Sequence, residues 1–465
     1  MSLKKYDNVY FIGIGGIGMS ALARWFKHNG YHVYGYDRTE TSLTNSLQTE
    51  GIPIHFDDDV DNIPYQFKED RTKTVVVYTP AIPASNSELT YFRELGFDLF
   101  KRSEILGMIT ENVKTIAVAG THGKTTTSSM IAHLLKNAGR DITAFMGGIS
   151  TNYNSNFLLN DQLTEETWAV VEADEFDRSF LTLSPEIAIV TSADADHLDI
   201  YGDADSLKTS FKEFINKIKS EGKLFINDGI ANDLVDSDYK GAVGTYGMNR
   251  GQFFATNITT DGGFFEFDYC DEQYKIDRLK LGVPGFHNVE NAVAAIAVAL
   301  NLGLSEADIK EGLESYNGVK RRFEYIIRND QMIFIDDYAH HPVEVEAFLK
   351  SLKALYPGKK VTAIFQPHLY TRTRDFAKGF GQSLSLADEV ILLDIYPARE
   401  EPIEGVSSKL IYKHIGGRKT LCSKEQVIDV LDSQEVEVLA TIGAGDIDQI
   451  VQPIYEHLTR TYHES

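Results

Sequence analysis

The stretch GTHGKTTT, residues 120–127, sets two glycines, a lysine and four threonines where an apolar run meets a helical pattern. A loop of this kind turns backbone N–H groups toward one point, and the start of the following helix adds partial positive charge there. Phosphate suits such a cradle. Lys124 would place a full charge on the β- and γ-phosphates of a nucleoside triphosphate, and Thr125 would offer its hydroxyl to Mg²⁺. The strict P-loop pattern needs a glycine where Val118 stands, so what remains is G-x-x-G-K-T. Gly120, Thr121, His122, Gly123, Lys124, Thr125 and Thr126 are the candidate cradle. Two acidic stretches follow at predicted strand ends: Glu172 in VVEADE, and Asp196–His197 in ADADHLD. Alone, Glu172 reads as a solvated strand-end acid and His197 as a hydrogen-bonded structural residue. Beside a phosphate loop they become plausible ligands of Mg²⁺ bridging ATP phosphates.

A second glycine pattern lies in FIGIGGIGMS, residues 11–20. Gly13, Gly15 and Gly18 give G-x-G-x-x-G, with Gly16 and Ile17 completing the turn into a helix. This is a diphosphate cradle, and a dehydrogenase is one reading of it. Asp37 ends the next strand, about 20 residues on, where an acid would meet an NAD ribose. The alternative is the diphosphate of some other carrier. A third group lies in GVKRRFE, DDYAHHP and QPHLYTRTRD. There Arg322, Arg372 and Arg374 could grip phosphate or carboxylate, or simply form surface ion pairs. Asp337 at a strand end could accept ribose hydroxyls. His340 and His341 before a proline make a turn that could rim an active site.

These residues need rigid elements behind them. NVYFIGI, HVYGYD and TVVVYTPAI read as strands, alternating with the helical stretches SALARWFKHNG and SELTYFRELG. VKTIAVAG opens a second unit, followed by the helix TTSSMIAHLLKNAG, the strands WAVVEADEFD and EIAIVTSADADHLD, and the helical NVENAVAAIAVALNLG. A third begins near Gly318, with strands QMIFIDDY, KKVTAIFQPH, DEVILLDIY and EVLATIGAG around helices such as PVEVEAFLKSLKALY. The expectation is an α/β protein of three units in series: residues 1–107, 108–317 and 318–465.

The bulk numbers agree. A chain of 465 residues has room for about three domains. Its net charge of −23 argues against nucleic acid or an anionic membrane as the main partner. Two cysteines imply no disulfide framework and fit a reducing compartment. The N-terminal apolar run is a Gly-rich strand and turn rather than a signal segment, and no run is long enough to span a membrane. A cytoplasmic protein is the expectation.

Taken in order, GIGGIGMS, GTHGKTTT, EADE, ADHLDIYGD, PGFHNVENA, GVKRRFE, DDYAHHP, QPHLYTRTRD and GAGDI resemble the Mur ligases, the ATP-dependent amide-forming enzymes of peptidoglycan precursor synthesis, and most nearly their alanine-adding branch. The resemblance spans most of the chain. It implies a three-domain architecture: a Rossmann-like N-terminal domain for a UDP-sugar, a central P-loop ATPase domain and a Rossmann-like C-terminal ligase domain. It implies UDP-N-acetylmuramate, L-alanine and ATP as substrates, with Mg²⁺ or Mn²⁺, in a monomer or weak homodimer. Carried onto this chain, it gives Lys124 to the ATP phosphates and Thr125, Glu172 and His197 to the metal. It brings His287, Asn288 and Asn291 toward the nucleotide base, and Arg322 and Asp337 to phosphate and ribose. It sets His340, His341, Arg372 and Arg374 near the incoming amino acid. Lys124, His197, Asn288, Arg322 and Asp337 are the catalytic set so implied. Gly13 to Gly18 and Asp37 then serve the UDP-sugar, with no redox role.

Three departures stand out. The position of a carbamylated lysine in sister ligases aligns with Phe211, with Lys208 and Lys212 out of register, so carbamylation is not invoked. Leu369 replaces the arginine of the commoner QPHRYTRT. HFDDDV (55–60) and VVVYTPAI (75–82) differ from the patterns expected around a uridine. The rival readings are the dehydrogenase, a ligase that adds a recycled murein tripeptide to the same sugar nucleotide, and a nucleotide-binding regulator without turnover.

Overall fold

The computed structural model describes residues 3–111, 113–159, 164, 166–194, 201, 203–398 and 400–463. By compactness the chain divides into two units. One holds Met1–Ala255, Tyr269–Lys275 and Asn291–Leu313; the other holds Thr256–Asp268, Ile276–Glu290 and Glu314–Ser465.

The first unit carries two sheets. Strands β1 (Asn8–Ile12), β2 (His32–Tyr36), β3 (Ile54–His55), β4 (Thr74–Tyr78) and β5 (Asp98–Lys101) form a parallel sheet in the order β3-β2-β1-β4-β5. The order reverses at β1, so the loop after β1 opens onto the crevice where α/β sheets receive ligands. That loop is the first glycine pattern. The helix Ile17–His28 behind it buries Met19, Leu22, Trp25 and Phe26. On the other face, Tyr10, Tyr36, Phe67, Phe92 and Phe97 close an aromatic core.

The second sheet is built on β6 (Lys114–Ala119). It adds β7 (Ile142–Ser150), β8 (Ser155–Leu158), β9 (Trp168–Glu172), β10 (Ile187–Val190), β11 (Lys223–Asn227) and β12 (Ala242–Met248), in the order β12-β11-β10-β6-β9-β7-β8. All pairings are parallel except that of β7 with β8. β6 is apolar throughout its interior because it is covered on both faces, as central parallel strands are. Its neighbours β9 and β10 end level with it, Glu172 opposite Val118 and Val190 opposite Ala119. The loops after all three therefore converge. The sequence expectation for these strands holds; the β7–β8 hairpin and the strands after β10 were not expected from it.

The chain then makes β13 (Phe253–Asp261), β14 (Phe264–Cys270) and β15 (Lys275–Leu281), which are neighbours in that order. The second unit's own sheet comprises β16 (Glu324–Arg328), β17 (Ile333–Asp337), β18 (Val361–Phe365), β19 (Glu389–Leu392), β20 (Arg418–Leu421) and β21 (Val438–Ile442), in the order β16-β17-β21-β18-β19-β20. Only β16 runs antiparallel. The carboxyl ends of β17 and β18 carry the DDYAHHP and QPHLYTRTRD stretches.

Candidate active site

The GTHGKTTT loop joins β6 to the helix Lys124–Asn137, as its spacing predicts. Gly120 has φ +134° and Gly123 φ +80°, and a Cβ at either would collide: 2.1 Å from Thr191 Oγ1 at Gly120, 2.7 Å from Asn291 Oδ1 at Gly123. Both glycines are therefore required by conformation and by space. The segment after β10 braces the loop. His122 N donates to Ser192 Oγ at 2.8 Å, Asp194 N donates to Thr121 Oγ1 at 3.0 Å, and the Thr191 hydroxyl donates to His122 O. His122 Nε2 lies 3.5 Å from Asp194. Thr126 is buried behind the loop.

Lys124 folds back over its own loop. Its ammonium donates to Gly120 O at 2.7 Å and to Glu175 Oε1 at 2.9 Å, with Glu175 Oε2 at 2.8 Å. Burial works against the charge, but the carboxylates of Glu175, Asp174 and Glu172 outweigh it and hold Lys124 above the usual lysine range. Thr125 Oγ1 donates to Glu172 Oε2 at 2.7 Å. Gly147 on β7 leaves the room that carboxylate needs, since a Cβ there would stand 2.0 Å from Glu172 Oε2. A hydroxyl and a carboxylate side by side in a glycine-made recess fit a Mg²⁺ that keeps part of its water shell. Among the described residues, no group of three or more His, Cys, Asp or Glu side chains forms a ready-made metal cage. His197 and Asp196 lie outside the described residues. Phe211 is buried against Phe180, their ring centroids 5.4 Å apart, while Lys208 and Lys212 pair with Asp233 and Asp236.

The first glycine loop is built differently from a dinucleotide site. Gly13 has φ +87°, and a Cβ there would meet Thr79 at 2.8 Å. Asp37 Oδ2 accepts from Gly15 N at 2.8 Å, and Oδ1 accepts from Thr39 N at 3.1 Å. The acid that marked a possible NAD ribose site thus braces the loop. Gly16 and Ile17 lead into the helix, whose first-turn amides lack intrahelical acceptors. At Gly18 the neighbour is Arg102: a Cβ would lie 2.8 Å from its Cδ and 3.0 Å from its Nη1. Arg102 Nη2 reaches Asp174 Oδ2 at 3.7 Å. Arg102, Asp174 and Glu175 were not singled out in the sequence. Their only signal was position, in KRSEIL after a strand and inside EADE.

In the second unit, Arg322 stacks over Tyr338, its guanidinium carbon 5.7 Å from the ring centroid. Asp337 accepts from Phe323 N at 2.7 Å and from Ala339 N at 2.8 Å, so each oxygen already holds a backbone amide. Burial pushes its carboxyl up to about 7 against those hydrogen bonds. His287 and Asn288 start the helix Phe286–Asn301, which also carries Asn291. Burial lowers His287 to about 4, and Asn288 Nδ2 donates to Pro284 O at 2.7 Å. His340 Nδ1 lies 3.0 Å from Tyr338 O and 3.4 Å from Glu344. His341 caps the helix Pro342–Leu355 through Val343 N at 3.4 Å. Arg372 Nη1 donates to His368 Nδ1 at 3.4 Å, which leaves the His368 proton on Nε2. The structure thus brings His340, His368 and Arg372 together, with the two imidazole centroids 6.1 Å apart. Arg374 instead faces outward and pairs with Asp375 at 2.7 Å. Leu369, where an arginine is commoner, takes φ +70° at the start of its helix.

A glycine-braced lysine loop with a threonine–carboxylate pair beside it, on a mainly parallel sheet in a chain whose described residues form three sheets, defines a phosphate-handling α/β enzyme. Family models describe it further: Mur ligase family, catalytic domain, over residues 8–114; Mur ligase middle domain over 118–299; and Mur ligase, glutamate ligase domain, over 321–448. The chain belongs to the Mur ligase family. It is 50% identical to the UDP-N-acetylmuramate–L-alanine ligase of Phocaeicola vulgatus, covering 98% of each chain. It is also 50% identical to that of Parabacteroides distasonis, covering 99% of each. Among solved structures, the UDP-N-acetylmuramate-alanine ligase of Thermotoga maritima superposes with a TM-score of 0.82 at 30% identity, covering 98% of this chain and 99% of that one. A murein peptide ligase of Psychrobacter arcticus shares the fold, with a TM-score of 0.69 at 23% identity over 97% and 98%.

Proposed function

We infer that this chain is an ATP-dependent ligase that joins L-alanine to the lactyl carboxylate of UDP-N-acetylmuramate, giving ADP and phosphate, in peptidoglycan precursor synthesis. The observation that carries the reading is the Lys124 loop, with Thr125 held on Glu172, in a chain 50% identical end to end to alanine-adding ligases. A carboxylate does not condense with an amine in water without activation. One lactyl carboxylate oxygen attacks the γ-phosphorus and ADP leaves with the bridging oxygen, forming an acyl phosphate. The neutral amine of alanine then attacks the acyl carbon, loses a proton, and expels phosphate. Both reactants of the first step are anionic, so positive charge and fixed geometry do most of the work. Lys124 supplies that charge together with the amides of Gly120 to Thr126. Thr125 and Glu172 would hold Mg²⁺, which supplies further charge on the phosphates; His197 joins them by family resemblance. Mn²⁺ would serve in its place.

The remaining assignments rest on the same resemblance. Gly13, Gly15, Gly16, Ile17 and Gly18 hold the UDP diphosphate, with Asp37 as the brace of their loop. His287, Asn288 and Asn291 serve the adenine side, Arg322 and Asp337 the phosphate and ribose. His340, His341, Arg372 and Arg374 serve the amino acid, and of these the pairing of Arg374 with Asp375 makes it the weakest candidate. The domain boundaries at 107/108 and 317/318, a cytoplasmic location, and a monomer or weak homodimer belong to this reading. No helix of the described residues is long and apolar enough to cross a membrane. The test is phosphate release from ATP with UDP-N-acetylmuramate, screened against L-alanine, glycine, L-serine and L-alanyl-γ-glutamyl-diaminopimelate. L-alanine should trigger release. Release only with the tripeptide would make the chain a murein peptide ligase, and none with any acceptor would make it a regulator.

A further inference from the structure

A lysine ammonium has three N–H donors and no more. Lys124 donates to Gly120 O at 2.7 Å and to Glu175 Oε1 at 2.9 Å, and Glu175 Oε2 stands at ion-pair distance, 2.8 Å, so the carboxylate faces the ammonium with both oxygens. A phosphate that takes Lys124 as its counter-charge must compete with that carboxylate and with Gly120 O. Gly120 O belongs to the loop backbone, held at φ +134° against Thr191 and Ser192, so it moves least easily. The Glu175 carboxylate is a side chain and can turn aside. We propose that Glu175 is an internal rival of the nucleotide, a carboxylate seated on Lys124 in place of a phosphate, which ATP must displace before Lys124 can act.

Several features favour this over a plain structural ion pair. The Glu175 side chain is wholly shielded from solvent, so the pair is not a loose surface contact. Its backbone is fixed independently of the carboxylate: Tyr201 OH donates to Glu175 O at 2.6 Å, and the following turn is tied at Thr182, whose hydroxyl donates to Ser103 O at 3.0 Å. The side chain can therefore release the lysine without moving the loop. The adjacent carboxylates are otherwise engaged, Glu172 with Thr125 and Asp174 with Arg102. A rival of this kind lowers the apparent affinity for nucleotide by the fraction of molecules in which it holds the lysine. A nucleoside alone does not contest Lys124 and escapes this penalty.

The proposal rests on Lys124 being the phosphate lysine, and the experiment separates the two claims. The non-hydrolysable triphosphate AMP-PNP is titrated with Mg²⁺ by calorimetry into the intact protein and its variants. Glu175→Gln keeps the side chain's shape and removes its charge; AMP-PNP should bind about threefold to thirtyfold more tightly, with no gain in kcat. Asp174→Asn removes the same charge from a neighbour that does not touch Lys124, and its gain should be much smaller. A purely structural Glu175 would lose affinity on substitution. Unchanged or weaker binding by folded Glu175→Gln overturns the proposal, and so does an equal gain in Asp174→Asn. If Glu175→Gln does not fold, Glu175→Asp keeps the charge and withdraws it by one methylene. It should bind AMP-PNP more tightly by a smaller factor, and no gain overturns the idea. Lys124→Met binding AMP-PNP as well as the parent would instead refute the role of Lys124 itself.

Discussion

At the scale of single residues, the Lys124–Glu175 pair changes what a lysine deletion should do. From sequence alone, Lys124→Ala would stop ADP formation and spare the fold. The structure predicts a cost to the fold as well, because the substitution strands a fully buried carboxylate. Removing one partner of a buried pair costs about 3–5 kcal/mol. Denaturant melts should show a loss of that order for Lys124→Ala. The double variant Lys124→Met with Glu175→Gln should recover much of it and remain inactive. Asp337 gives a second prediction, in pH. Its carboxyl is pushed up to about 7 by burial, above the unfolded value of about 4. Between those values the folded state holds the extra proton, so its contribution to stability is full below about pH 4 and is lost as pH rises through about 7. Asp337→Asn cannot titrate and must also leave one of two backbone amides, Phe323 N or Ala339 N, poorly paired. Melting temperatures should place the variant furthest below the parent near pH 4, with the gap narrowing as pH rises toward 8. A gap that widens with pH would refute the sign.

At the scale of elements, the strand–loop–helix around GTHGKTTT was legible because its parts are adjacent in sequence: an apolar strand, glycines with positive φ, then a helix. The first glycine loop was legible for the same reason, and the choice of occupant was not. Asp37 looks like a ribose acid until Gly15 N is seen donating to it. Gly18 fits any G-x-G-x-x-G until Arg102, which follows β5 and lies more than eighty residues on, is seen lying against it. Such pairings are set by sheet order and leave no local pattern. The β7–β8 hairpin and the strands β11 to β15 were not expected from sequence, although β14 alternates cleanly, burying Phe265, Phe267 and Tyr269 and leaving Glu266 and Asp268 partly exposed. The Arg102 contact predicts a separation of effects. Gly18→Ala drives a methyl into the arginine, and Arg102→Ala removes its guanidinium. Both should raise the KM for UDP-N-acetylmuramate by about tenfold or more, as loss of a charge-assisted contact does. The KM for ATP should stay within about twofold. Steady-state kinetics with each substrate varied decide it, and an equal rise in both would place Arg102 in the ATP site instead.

At the scale of the whole molecule, the boundary near residue 318 divides the sequence more cleanly than it divides the packing. Residues 256–268 and 276–290 precede that boundary but pack with the body of 314–465. Arg328 lies 4.0 Å from the Phe264 ring centroid and donates to Gly262 O at 2.9 Å. Tyr325 OH lies 3.3 Å from Gly263 O and 2.9 Å from Tyr356 OH. Phe286 N donates to Ser351 Oγ at 3.1 Å, and Phe265 meets Phe286 at 4.9 Å between ring centroids. A chain cut at 317/318 separates Arg328 from Phe264 and Gly262, Tyr325 from Gly263, and Phe286 from Ser351. The fragment 318–465 keeps all six strands of its sheet and should fold, with a lower melting temperature than the intact protein. The fragment 1–317 should expose Phe264 and Tyr316 along with the unpaired backbone of Gly262 and Gly263, and so bind a hydrophobic dye and self-associate. Mixing the two should quench the dye and raise the melting temperature of both, since each then binds the native form of the other. A fragment 1–317 that stays monomeric, binds no dye and is indifferent to its complement would show that the boundary is a true domain border and that these contacts contribute little.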